Sequence, residues 1–192
     1  MTIIAAMSDG ERVIMGCDTR ADYCGTAIYM ARGKIITLTT MGGGGRVLLG
    51  VSGNSAIIAR LQHHLKIDFA PNADGPDRWA HRVAEAATTV LAEATPPLVT
   101  PEDDSASSFD GTVLLAWRDR MWVLHVHGAM PLQDSVHTMG SGSEIGLGSL
   151  HTAQRLGMDP REAVDLAVRL ASTYNAGCGI DDRGPMIHAT LD

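Results

Sequence analysis

A threonine at position 2, an aspartate at position 18 and a lysine at position 34 stand at sixteen-residue intervals in a chain of 192. These three residue types can together make a nucleophile. Thr2 is small enough for the initiator methionine before it to be removed, which would make it the first residue. A terminal threonine carries its own base: the hydroxyl attacks, and the free α-amine takes the proton directly or through a water. An α-amine has an ordinary pKa of ~7.7–8, so a modest downward shift leaves it neutral near pH 7. A lysine cation nearby supplies that shift, and a carboxylate holds the lysine charged and oriented. Lys34 and Lys66 are the only lysines among 15 basic residues, and lysine, unlike arginine, can change protonation state in catalysis. The spacing also fits an ordinary second residue with an Asp18–Lys34 surface pair, so the pattern alone leaves both readings open.

Other chemistries find less support. Gly33-Lys34 is followed by Ile35 and lacks the earlier glycine of a phosphate-binding loop, and no G-x-S-x-G nucleophile turn occurs. The Gly140-Ser141-Gly142 turn before a helix could cradle an anion, but no βαβ pattern surrounds it. His125 and His127 share a strand face, whereas His63 and His64 face apart on a helix. Neither pair has a third ligand at a matching spacing, so no metal site is expected. With 22 acidic and 15 basic residues the net charge is −7, which argues against a protein that coats nucleic acid. No run reaches the ~18 uncharged apolar residues of a membrane span. The amino terminus lacks a basic segment and meets Asp9 early, unlike a signal peptide. Cys17, Cys24 and Cys178 cannot all pair, and a reducing cytosol suits them.

The length suits a single domain over 1–192, built around one sizeable core. Residues 2–8 and 11–17 read as two apolar strands joined at Asp9-Gly10, a hairpin turn. Residues 27–30 and 35–39 read as a second pair around Arg32-Gly33-Lys34, and 47–51 as a further strand after the glycine run at 42–45. Helical patterns follow at 55–65, capped by Asn54, and at 76–94, ending before Pro96-Pro97. The acidic, Ser- and Pro-rich stretch 95–108 reads as an exposed loop. Residues 113–117 and 122–126 form a third hairpin, 135–139 a short strand, 144–156 and 159–171 two helices, and 186–191 a closing strand. Strands and helices in separate blocks predict two packed antiparallel sheets, with a helix pair on each outer face.

With these elements in place, the sequence resembles the proteasome β-subunits and the bacterial HslV peptidase. The likeness runs through Thr2-Ile3-Ile4-Ala5-Ala6, Gly16-Cys17-Asp18-Thr19-Arg20-Ala21 and Gly33-Lys34-Ile35. It continues through Gly50-Val51-Ser52-Gly53-Asn54-Ser55-Ala56, Gly140-Ser141-Gly142-Ser143 and the helix start at Leu156-Gly157-Met158-Asp159-Pro160-Arg161-Glu162-Ala163-Val164, covering nearly the whole chain. The resemblance implies the α+β, four-layer αββα sandwich of N-terminal nucleophile hydrolases. It implies a threonine endopeptidase with Thr2 as nucleophile, Asp18 and Lys34 as its support, Gly53 as oxyanion donor and Ser141 beside the amine. Substrate would add as a strand along Ala21-Asp22, its side chain near Val51, Ser55, Ala21, Arg32 and Ile36. No cofactor or metal is implied. The implied partners are protein or peptide substrates, further copies in two stacked six- or seven-membered rings, and a ring ATPase, in the cytoplasm.

The sequence departs from that pattern in places. The proteasome branch follows its last helix with an aspartate and, three residues on, a serine; the matching positions here are Asn175 and Cys178. The glycine run lengthens the loop before Gly53. Met1 alone precedes Thr2, as in HslV, which suits activation by an aminopeptidase; a retained Met1 would leave the base an amide. These departures keep two rival expectations open: a non-catalytic ring subunit of the same fold, and a small-molecule amidase of the same superfamily.

Overall fold

The computed structural model describes residues 2–40, 45–67, 75–102 and 106–191. Met1 and residues 42–44, on which the expectations for the chain start and most of the glycine run rest, lie outside the described residues. Chain order begins with β1 (Ile4–Ser8), β2 (Val13–Cys17), β3 (Arg20–Tyr23), β4 (Thr26–Tyr29), β5 (Ile35–Thr39) and β6 (Arg46–Gly53). Two helices follow, α1 (Ser55–His64) and α2 (Pro76–Ala92). Next come β7 (Val99–Glu102), β8 (Ala106–Phe109), β9 (Gly111–Trp117), β10 (Arg120–His125), β11 (Gly128–Pro131) and β12 (Val136–Met139). Helices α3 (Ser143–Arg155) and α4 (Pro160–Tyr174) and strand β13 (Met186–Ala189) close the chain.

One antiparallel sheet has the order β12-β1-β2-β13 and a second the order β11-β10-β9-β6-β5. Residue alternation explains how they stack. In β1, Ile4 and Ala6 point to the second sheet, while Ala5 and Met7, with Ile3 just before the strand, pack against α3 and α4. In β9, Leu114 and Ala116 face the first sheet, while Val113, Leu115 and Trp117 join the core under α1 and α2. Both sheets are thus apolar on both faces, as a period-2 side-chain pattern demands of an inner layer. The outcome is the expected αββα sandwich. Trp79 of α2 anchors one outer layer against Trp117 and Trp122, with ring centroids 5.6 and 6.1 Å away.

Several strand expectations need correction. Residues 27–30 do not pair with 35–39. Strand β4 pairs with β3, and Asp22 Oδ1 accepts the Gly25 N–H across their turn. Strand β5 pairs instead with β6, because its apolar residues belong in the second sheet. The stretch 95–108 is not simply a loop: β7 and β8 pair as a two-stranded sheet. Strand β11 was not expected at all; it extends the second sheet beyond β10.

Gly50 sits where β6 crosses the first sheet. A Cβ there would lie 2.8 Å from Ile4 Cγ2 and 2.9 Å from Met15 Sδ, both closer than packed carbon allows. Gly50→Val should therefore force the sheets apart and cost about 1–3 kcal/mol of unfolding free energy. Urea denaturation reads this out, and an unchanged midpoint would contradict so close an approach of the two sheets.

Candidate active site

Thr2 lies two positions before the first sheet's β1, and Asp18 immediately after β2. The register Ile4↔Cys17 places them at the same end of that sheet. Lys34 arrives from elsewhere. It precedes β5 of the second sheet, so the two expected partners meet across the sandwich and not along one sheet. Asp18 is fully buried and Lys34 nearly so. Lys34 Nζ donates to Asp18 Oδ1 at 2.7 Å, the Ile3 N–H donates to the same oxygen at 3.0 Å, and the Gly179 N–H donates to Oδ2 at 3.1 Å. The Lys34 carbonyl accepts the Val51 N–H at 2.9 Å, tying the lysine to β6. Its own N–H points to Cys17 Sγ at 3.3 Å, a thiol pushed up to about 12 chiefly by burial.

Thr2 is also buried. Its nitrogen donates to Ser141 Oγ at 3.2 Å, and its carbonyl accepts the Gly142 N–H at 3.2 Å and the Ser141 hydroxyl at 3.4 Å. The Gly140-Ser141-Gly142 turn is thereby tied to Thr2, ahead of β1. Asn175 caps α4 and donates from Nδ2 to the Ser141 carbonyl at 2.7 Å, while its Oδ1 accepts the Gly177 N–H at 2.9 Å. Cys178 Sγ stands 3.8 Å from Ser141 Oγ; burial, with Asp18 second, pushes its thiol above the usual range, so it stays protonated at neutral pH.

Beside Thr2 opens a cavity of about 260 Å³. Lys34, Gly53, Ala21, Asp22, Val51 and Ser55 border it, as the sequence suggested. Arg32 and Ile36 do not. Arg32 is exposed outside the lining, and Ile36 is buried in the core beneath α1 and α2. Their places are taken by Met30, Asn54 and Ile58. Ile58 could have been found from the sequence, since it lies three positions after Ser55 on one helix and so shares its face. Met30 had no such signal; its N–H closes the β3–β4 hairpin on the Thr19 carbonyl at 2.8 Å. Among the described residues no three His, Cys, Asp or Glu side chains gather as metal ligands, and no helix is long and apolar enough to cross a membrane.

No family model matches the sequence, and no curated protein sequence matches it significantly. Solved structures are similar in fold. BPH of Thiobacillus denitrificans superposes with a TM-score of 0.74 at 20% identity, over 100% of this chain and 98% of that one. The same protein in complex with epoxomicin gives 0.75 at 18% identity, covering 98% of each chain. HslV from Trypanosoma brucei gives 0.66 at 11% identity over 99% of both chains. Anbu from Yersinia bercovieri gives 0.65 at 13%, over 98% of this chain and 81% of its own. The chain has the fold of the proteasome-type N-terminal nucleophile hydrolases.

The buried Asp18–Lys34 pair gives a direct test of this geometry. Asp18→Asn leaves a buried ammonium without its counter-ion, and such losses cost about 3–5 kcal/mol. The expected outcome is a large fall in the urea midpoint, partly recovered when Lys34→Met is added. A midpoint within experimental error of wild type would show that the two side chains do not meet in a dry interior.

Proposed function

We propose that the chain is a threonine-type endopeptidase subunit, cleaving peptide bonds through an acyl-enzyme on Thr2 once Met1 has been removed. The observation that carries this reading is Thr2 at the edge of the 260 Å³ cavity, with Ser141 on its nitrogen and the Lys34–Asp18 pair within the same site. A peptide would lie as an added strand along Ala21-Asp22, its side chain directed toward Met30, Val51, Ser55 and Ile58. The Thr2 hydroxyl attacks the substrate carbonyl carbon while its proton passes to the α-amine. The Lys34 charge disfavours a second cation beside it and so helps keep that amine neutral before attack. The Gly53 N–H is assigned to the developing oxyanion, an interaction commonly worth several kcal/mol. The intermediate collapses, the ammonium returns a proton to the departing amine, and an ester remains on Thr2. A water deprotonated by the same amine then hydrolyses the ester and restores the threonine.

Assembly belongs to the same reading: a homo-oligomer of two stacked six- or seven-membered rings, served by a ring ATPase in the cytoplasm. Exposed Tyr23, Ile28 and Tyr29 on β3 and β4, and Leu156 and Tyr174 near the ends of α3 and α4, are apolar surface that assembly would cover. Asn175 favours a second reading, a non-catalytic ring subunit, because it stands where the resembling proteasome branch carries an aspartate, so the hydrogen bond to the Ser141 carbonyl is made by an amide and not organised by an acid.

Intact mass with and without epoxomicin, the compound held by the similar BPH structure, separates the two. An epoxyketone requires both the hydroxyl and the free amine of a terminal threonine. The peptidase reading expects a mass lacking Met1 that gains one inhibitor, with no gain in Thr2→Ala. A mass that retains Met1, or a bare Thr2 that stays unlabelled, overturns it.

A further inference from the structure

The turn that bears Gly53 does not hold itself in shape. Gly53 has φ +108°, and a Cβ there would lie 2.5 Å from Gly111 Cα and 2.9 Å from the Asp110 carbonyl. The backbones of β6 and β9 therefore touch at the end of their ladder, where Gly53 and Gly111 are register partners. The chain then passes through Asn54 into α1. Asn54 caps that helix, its Oδ1 accepting the Ala56 N–H at 2.9 Å and its carbonyl the Ile57 N–H at 3.1 Å. The backbone N–H and the side-chain amide of Asn54 both donate to one residue. Its N–H donates to the Asp110 carbonyl at 3.0 Å, and its Nδ2 to Asp110 Oδ2 at 2.7 Å. Asp110 is fixed in turn, its N–H donating to the Leu98 carbonyl at 3.0 Å, and the Leu98 N–H to Leu91 of α2 at 3.0 Å.

We infer that Asp110 is a positioning residue for the oxyanion site, clamping the Gly53–Asn54 peptide through Asn54. The inference rests on the peptidase reading, because it is the oxyanion role of Gly53 that gives the clamp a catalytic consequence. Any residue at 110 supplies the backbone carbonyl. Only a side-chain acceptor of the right length also holds the Asn54 amide, and a carboxylate does so with a charge-assisted bond. The Asn54 N–H is already bound to Asp110, so it is not the oxyanion donor. What Asp110 controls is the direction of its neighbour. Without the Asp110 carboxylate, Asn54 keeps its capping oxygen but loses the restraint on its amide end, and the preceding peptide can tilt. Displacements of ~1 Å at a reacting centre cost up to ~100-fold in rate. Because this bond is solvent-exposed and the backbone bond survives, the expected loss is about tenfold.

The test uses the full-length, Met1-processed protein with a fluorogenic peptide, a peptide boronate that forms a tetrahedral adduct on Thr2, and a non-cleavable peptide. Asp110→Ala should lower kcat about tenfold with KM within about twofold, the pattern of an interaction made in the transition state. Boronate affinity should fall by a similar factor, whereas affinity for the non-cleavable peptide should hold. Asp110→Asn, which still offers an acceptor oxygen, should recover most of the activity. Should Asp110→Ala fail to fold, Asn54→Ser keeps a capping oxygen while removing the amide donor, and the same split is expected of it. Wild-type turnover with kcat and boronate affinity unaltered in these variants overturns the inference and leaves the peptidase reading intact. A wild type that neither cleaves nor binds the boronate overturns both.

Discussion

Asp18 is wholly inside the protein and answers three donors, and each comes from a different part of the chain. Lys34 belongs to the second sheet, Ile3 to the first, and Gly179 to the segment after α4. A carboxylate in a dry interior is tolerated only when it is paired and hydrogen-bonded, so this arrangement must form as a unit or not at all. That requirement sets much of the surrounding geometry. It fixes the offset of the two sheets, since Lys34 must reach Asp18 across the sandwich, and it fixes β1 against the end of β2 through the Ile3 N–H. It also draws the segment after α4 inward, where the Gly179 carbonyl then accepts from Thr19 and Arg20. Thr2 stands one residue from the Ile3 contact and inherits its position from it.

The same unit bears on how much of the arrangement is legible in the sequence. Thr2, Asp18 and Lys34 stood out through the chemistry of a terminal threonine beside a lysine and an acid and through the resemblance around them; their burial had no signal in the spacing. The layers were legible because both sheets alternate apolar residues over inner and outer faces. The β3–β4 hairpin was misread because its turn is made by Cys24 and Gly25, both at positive φ, and cysteine is not a usual turn residue. Its residues Ala27, Ile28 and Tyr29 are apolar yet lie on the surface, so composition pointed to a sheet the strand does not join. The β7–β8 pair was hidden by acids and prolines, which signal loop on average but do not forbid a short outlying hairpin. Ile36 was misplaced for a related reason, whereas Arg32 stands in the exposed turn after β4 and on no strand. A residue's side of a strand follows from its register, and the pairing of β5 with β6 turns Ile36 into the core.

The departures at Asn175 and Cys178 have a physical meaning that neither residue type alone conveys. A carboxylate at 175 could only accept hydrogen bonds. Asn175 instead donates to the Ser141 carbonyl and accepts from Gly177, so it holds the backbone of the turn while leaving it uncharged. Cys178 keeps its proton, because burial and the nearby Asp18 both oppose a thiolate. The Ser141 side of the Thr2 nitrogen is therefore neutral on every count, and the ionic influence on that nitrogen comes from Lys34 and Asp18. These two opposite charges sit 2.7 Å apart, so their fields largely cancel at a distance, and what remains depends on which member stands nearer. Lys34 borders the cavity together with Thr2, whereas Asp18 is withdrawn behind it and spends its oxygens on Ile3 and Gly179. On the peptidase reading the lysine is then the charge that would disfavour a protonated amine at Thr2, and the neutral Asn175 adds no carboxylate on the opposite side that would favour one.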